Sequence, residues 1–268
     1  MTHRCRQIEV SRFEGLTRRS FIGGAGALLA GAMMPSNLFA LGASSQIDLV
    51  QLVYGGGNWQ PRPTALRRLA WEVHKRTAVD TVLDPSHSKV SANLLASSPF
   101  AYLSGDRPFT PWEPPMQDGL SRFLRLGGTL VIDPAFTPDG DAKGFDKSVD
   151  ELISGVMPHS AAVPILPGHL IFRTFYDLSR AVGRKEGSVG LVGHEMGGRA
   201  AIIRTNHDMG GAWARDNLGN WELDVVPGGE RQRENAFRLG VNIVMYALCI
   251  DYKDEEPHRR FGQGNQVQ

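Results

Sequence analysis

The sequence predicts an α/β protein: a mostly parallel sheet with helices on both faces. Two observations carry the α/β part of that expectation. Short, near-continuous apolar runs alternate along the chain with stretches of helical period, the pattern of strands covered on both faces by crossover helices. In addition, 268 residues with 41% hydrophobic content are enough to bury a full core.

Taken in order, Ile47–Tyr54 reads as a first strand. Pro63 to Arg76 follows as a helix, with Pro63 in its first turn and Leu66, Leu69, Ala70 and Val73 on one face. Arg67, Arg68, Glu72, Lys75 and Arg76 mostly fall on the opposite, polar face. Thr77–Leu83 is expected to be a second strand, Phe100–Ser104 a third, Met116–Leu126 a helix and Gly128–Asp133 a fourth strand. Phe145–Met157 looks helical, and Ala162–Ile165 and Arg199–Thr205 look like further strands. The Gly-rich stretch Gly183–Gly198 is expected to be a surface loop. A final helix from about Gln232 to Cys249 is apolar nearly all round and should pack into the domain, and Arg238 and Asn242 argue against a membrane span.

The ends of the chain lie outside this domain of residues 46–250. At the amino end, Thr17-Arg18-Arg19-Ser20-Phe21-Ile22 runs into the uncharged Gly/Ala-rich stretch Gly23–Met34. A paired arginine before a weakly hydrophobic core resembles the twin-arginine export signal of bacteria, which makes residues 1–43 a signal peptide and the periplasm the destination. Cleavage is the favoured reading, although Leu38-Phe39-Ala40 and Leu41-Gly42-Ala43 each meet the small-x-small pattern only at the last position. An uncleaved anchor is the alternative, and only then would the protein touch a membrane. Removal of Arg4, Arg6, Arg12, Arg18 and Arg19 with Glu9 and Glu14 turns a net charge of +1 into −2. Neither value supplies a field that would hold nucleic acid. Cys5 leaves with the signal, so Cys249 has no internal disulfide partner, and its apolar setting reads as a small buried hydrophobe. The polar tail, residues 251–268, is expected to be disordered.

Ligands of open parallel sheets sit beyond the carboxyl ends of the strands, so the loops there hold the candidate residues. After the first strand come Gly55-Gly56-Gly57-Asn58-Trp59-Gln60-Pro61-Arg62, where three glycines allow close backbone approach to a ligand. The spacing matches neither a dinucleotide fingerprint nor a P-loop. Asp106-Arg107 follow the third strand and Asp133 ends the fourth. Two carboxylates at neighbouring strand ends suit acid–base work, a metal, or sugar hydroxyls. The plainer alternative is that each caps its own loop, with Asp106 paired to Arg107 or Arg62. Asn206-His207-Asp208 after the strand Arg199–Thr205 would complete a polar cleft. Asp139-Gly140-Asp141 mimics part of a calcium loop, but Lys143 stands where an oxygen ligand is needed, and His194-Glu195-Met196 lacks the second His of a zinc protease. No metal site is expected, and the residues name no cofactor. Ser104 lacks the preceding glycine of a nucleophile elbow, and His169 is expected to start a short helix rather than serve as a base.

Three blocks carry a family resemblance: Gln51-Leu52-Val53-Tyr54-Gly55-Gly56-Gly57-Asn58-Trp59 with Pro61-Arg62-Pro63, then Tyr102-Leu103-Ser104-Gly105-Asp106-Arg107-Pro108-Phe109, then the stretch from Arg233 to Tyr246. In this order, from about Ile47 to Leu248, they resemble the bacterial family called domain of unknown function 4159. That family is similar, more distantly, to the class I glutamine amidotransferase-like superfamily and its trehalose-utilisation-type members, which implies the flavodoxin-like sheet. Pro167–Phe172 is similar to a loop of those relatives. No Cys follows the third strand, where Ser104 stands instead, so glutaminase activity is not expected. Two functions remain. One is a noncatalytic binding or interaction module of the bacterial envelope, taking a small polar ligand or a protein partner. The alternative is a carbohydrate-active or other small-molecule hydrolase or isomerase. The ligand-binding residues are Asn58, Trp59, Arg62, Asp106, Arg107, Asp133, Asn206 and Asp208, and a module that binds a protein partner would use Trp59, Trp112 and Phe109 as contacts.

Overall fold

A computed structural model describes residues 46–90, 94, 98–187 and 189–249. The expected signal with Arg18 and Arg19, and the expected tail, lie outside the described residues. Seven strands form one sheet: β1 (Val50–Leu52), β2 (His87–Ser88), β3 (Phe100–Gly105), β4 (Thr129–Pro134), β5 (Ala162–Pro164), β6 (Val192–Met196) and β7 (Arg199–Arg204). Their spatial order is β2-β1-β3-β4-β7-β6-β5. Pairing is parallel from β2 through β7 and antiparallel from β7 through β6 to β5. The helices are α1 (Ala65–Arg76), α2 (Pro114–Arg125), α3 (Ala142–Val156), α4 (Met209–Trp213) and α5 (Gly229–Leu248), with a 3₁₀ turn at Leu170–Phe172.

Two apolar layers cover the sheet, as its doubly buried strands require. In β3, Phe100 and Tyr102 pack into one cluster with Leu69 and Val73 of α1 and Leu239 and Ile243 of α5. Ala101 and Leu103 face the other cluster, with Leu120 and Phe123 of α2 and Phe145 and Val149 of α3. The near-circumferential burial expected for the last helix holds for Phe237, Leu239, Val241, Ile243 and Val244. Trp213 packs on this helix and donates its indole N–H to the Ala236 carbonyl at 3.0 Å. Among the described residues, no helix is long and apolar enough to cross a membrane.

Two expectations need correction. Thr77–Leu83 forms no strand beyond an isolated bridge between Ile47 and Thr81. The Thr77 hydroxyl instead closes α1 on the Val73 carbonyl. Asp48 then takes both the backbone N–H and the hydroxyl of Ser86, at 3.0 and 2.5 Å, and this brings His87–Ser88 into register beside β1. Second, five residues of the expected loop Gly183–Gly198 form β6. Gly197 and Gly198, at φ of +63° and +79°, supply the left-handed pair of a two-residue hairpin into β7. Glu72, on the polar face of α1 as expected, is nonetheless only 3% exposed.

Candidate functional site

The loops after β1 and β3 meet where the strand order reverses, the usual place for a ligand crevice. Gly56, at φ +77°, turns the first loop so tightly against Thr110 that no side chain fits there. Tyr54 anchors both loops, its hydroxyl lying 2.7 Å from the Ser104 carbonyl and 3.0 Å from that of Asn58. Burial and the nearby Asp106 push this phenol well above its ordinary pKa, so it stays a protonated donor.

Asp106, only 2% exposed, joins three segments. It accepts from Asn58 Nδ2 at 3.1 Å, from the Thr137 hydroxyl at 2.9 Å, and from Arg107 Nε at 2.8 Å. Burial opposes its ionisation, but the bonds from Arg107, Thr137 and Asn58 outweigh burial and hold it below the usual carboxylate range. The Arg107 side chain itself is half exposed. Trp59 lies edge-on to His87 of β2, with ring centroids 5.2 Å apart.

A second network lies across the ends of β4 and β7. Asp208 caps α4 from a left-handed backbone conformation, φ 51°, accepting from the Gly211 N–H at 3.0 Å. Fully buried, it receives Arg62 Nη2 at 2.9 Å and Arg184 Nε at 2.6 Å. Both arginines also donate to the Phe136 carbonyl, at 3.1 and 2.7 Å, while the Phe136 N–H reaches Asp208 at 3.3 Å. The loop after β4 is thereby clamped at one peptide. Asp133 sits beside this network, accepting from the N–H groups of Met209 and Gly210 at 3.0 and 2.7 Å and from the Tyr102 hydroxyl at 2.6 Å. Burial and then the charge of Asp208 push its carboxyl up to about 7, against these three donors.

Asp106 and Asp133 therefore occupy neighbouring strand ends, as expected, but each is engaged by donors of its own. Arg62 pairs with Asp208 and not with Asp106, which takes Arg107. Asn206 Oδ1 has no hydrogen-bond partner among the described residues, and His207 Nδ1 accepts the Gly187 N–H at 2.8 Å. Ser104 is buried and donates to the Asp133 carbonyl at 2.8 Å, which leaves no exposed hydroxyl for nucleophilic work. His169 starts the 3₁₀ turn, its ring accepting from the Ile171 N–H. Asp141 caps α3 through the Gly144 N–H at 2.9 Å instead of contributing to a calcium loop. Cys249 is half-buried, and burial raises its thiol pKa. Tyr102, Phe136, Thr137 and Arg184 are among the members of the networks that the sequence did not single out as site residues. For Arg184 the only signal was the basic pair Arg184-Lys185 in a Gly-rich stretch.

Comparison with curated proteins finds no significant match. A family model described as "Domain of unknown function (DUF4159)" matches residues 48–248, and the chain belongs to that family.

Proposed function

We propose that this protein is a noncatalytic binding module of the bacterial envelope, exported by the twin-arginine route through Arg18 and Arg19. It would recognise a small polar ligand or a protein partner at the crevice between the loops after β1 and β3. The finer fold we propose is flavodoxin-like. The parallel run β2-β1-β3-β4-β7 supports it, since its parallel strands taken in chain order read 2-1-3-4-5.

The observation that carries the binding reading is the engagement of Asp106, Asp133 and Asp208 by internal donors. Such carboxylates hold loops in place. Recognition then falls to the groups left accessible above them, chiefly the Arg107 guanidinium, Asn58 and the backbone of Gly55 and Gly56. One observation favours the hydrolase or isomerase alternative: Asp133 titrates near neutrality, as an acid–base group does. Its complete burial under Tyr102, Met209 and Gly210 speaks for the structural role.

The test is native mass spectrometry of the chain recovered from the periplasm, beside a variant carrying Arg107→Ala. A retained molecule or partner that the variant loses, at an unchanged melting temperature, is the expected result. Equal retention would remove the crevice from the site, and conversion of the retained molecule would make the protein an enzyme. Replacing Arg18 and Arg19 by Lys should leave the precursor in the cytoplasm, and undiminished export would refute the proposed route.

A further inference from the structure

Between α1, the first half of α5 and Trp221 lies a pocket of about 430 Å³, within the range of small-molecule sites. It shares no residue with the crevice above the strand ends. Trp221 and Phe237 form its apolar wall, with ring centroids 5.9 Å apart.

The charges around this wall do not balance. Glu72 is spaced four residues from both Arg68 and Arg76 on α1, and accepts from both. Glu234 on α5 receives the Arg76 guanidinium through two bonds of 2.8 and 2.9 Å and also Arg238 Nε at 2.9 Å. Three arginines thus share two carboxylates. Lys75, exposed on the rim, places its ammonium 4.6 Å from the Trp71 ring centroid and has no carboxylate partner among the described residues. The Arg68 guanidinium lies 4.1 Å from the same centroid, and its Nε is buried with no hydrogen-bond partner.

We propose that this pocket binds a small organic oxyanion, a planar or aromatic carboxylate being the form that fits it. The carboxylate would pair with the Arg68 guanidinium and the Lys75 ammonium, and the ring would lie beside Phe237 and Trp221, whose ring already carries the Arg233 and Arg215 guanidiniums at 4.3 and 4.8 Å. Fork-shaped donors match a carboxylate in geometry, and a half-sheltered guanidinium gains more from an anion than one in open water. Burial together with the charges of Arg215 and Arg76 makes Arg68 less willing to hold its proton, despite the help of Glu72. An added negative charge would relieve that repulsion.

Benzoate, the uncharged isostere benzamide and inorganic phosphate are the probes, titrated into the full chain by calorimetry with tryptophan fluorescence in parallel. Saturable binding of benzoate, weakened about tenfold or more in Arg68→Gln and by a smaller factor in Lys75→Gln, is expected. Because Lys75 is exposed, its variant stays folded and keeps the test valid if Arg68→Gln does not. Arg107→Ala should bind benzoate as the unaltered chain does. Weak phosphate binding that benzoate displaces would agree with an oxyanion site. No saturation by benzoate at about 10 mM would overturn the proposal. Benzamide binding as well as benzoate, full affinity in both pocket variants, or loss of affinity in Arg107→Ala would overturn it equally.

Discussion

At the carboxyl ends of β4 and β7 the pairs that Asp208 makes with Arg62 and Arg184 are sealed, whereas between α1 and α5 the charges are crowded, half-open and unequal. Asp208 is 0% exposed and holds two arginines whose side chains are 10% and 12% exposed. Glu72 is almost as buried, yet its arginines remain about a fifth exposed and one of them serves a second carboxylate. A sealed network can only brace what surrounds it, because a ligand would have to displace an existing bond. Charges left open beside a cavity can bind something new. The difference teaches that strand-end carboxylates in such a sheet are not by position alone catalytic.

The largest effect that would break this contrast concerns the sealed side. Replacing both Arg62 and Arg184 by Met strands Asp208 without a countercharge, and should destabilise the fold by about 3–5 kcal/mol in urea unfolding. A loss well under 1 kcal/mol would mean that Asp208 reaches water after all.

The two strand-end acids should also show opposite pH dependence. With its carboxyl pushed up to about 7, Asp133 binds a proton more tightly folded than unfolded. Its protonation therefore supports the fold fully below about pH 4, and that support is lost as the pH rises through about 7. Asp106 is held below its ordinary value, so its contribution is present above the ordinary carboxylate pKa and is lost as the pH falls through its folded value. Unfolding free energies measured across pH should thus show the decline towards neutrality flattened in Asp133→Asn and the acid limb flattened in Asp106→Asn. The same slopes in both variants would contradict these assignments.

On the open side the cost of losing a carboxylate should be smaller. Glu72→Gln removes a buried acceptor from Arg68 and Arg76, but Arg76 keeps Glu234 and both side chains reach solvent. A loss of about 1–2 kcal/mol in the same unfolding measurement is expected, below the strand-end value. The smallest change belongs to Arg107→Ala. Its guanidinium is half exposed and joined to the adjacent residue, so the unfolding free energy should shift least in this variant.

How much of this was legible in the sequence follows from the range of each interaction. β3, β4, α1 and α5 were readable because their burial is continuous along the chain and imposes a local period. The Asp106–Arg107 pair was readable because its members are neighbours. Arg62 and Asp208 are 146 residues apart, and no local pattern indicates that a Gly-Gly-Gly loop and an α4 cap share one charge. β6 was missed although Gly197-Gly198 between apolar runs is a hairpin signal, because the preceding glycines dilute its alternation. The burial of Glu72 was illegible for a different reason. Helical period assigned it to the polar face correctly, but α5, Trp221 and its own arginines cover that face.

The central claim, that the strand-end acids brace the fold, is tested most directly by the thermal unfolding of Asp208→Asn. Asn tolerates the left-handed backbone at this position, so the substitution removes the charge without adding strain. Loss of the pairing with Arg62 and Arg184, at about 3 kcal/mol or more, should lower Tm by about 6–12 °C. An unchanged Tm would contradict the claim and return Asp208 to the list of groups free for chemistry.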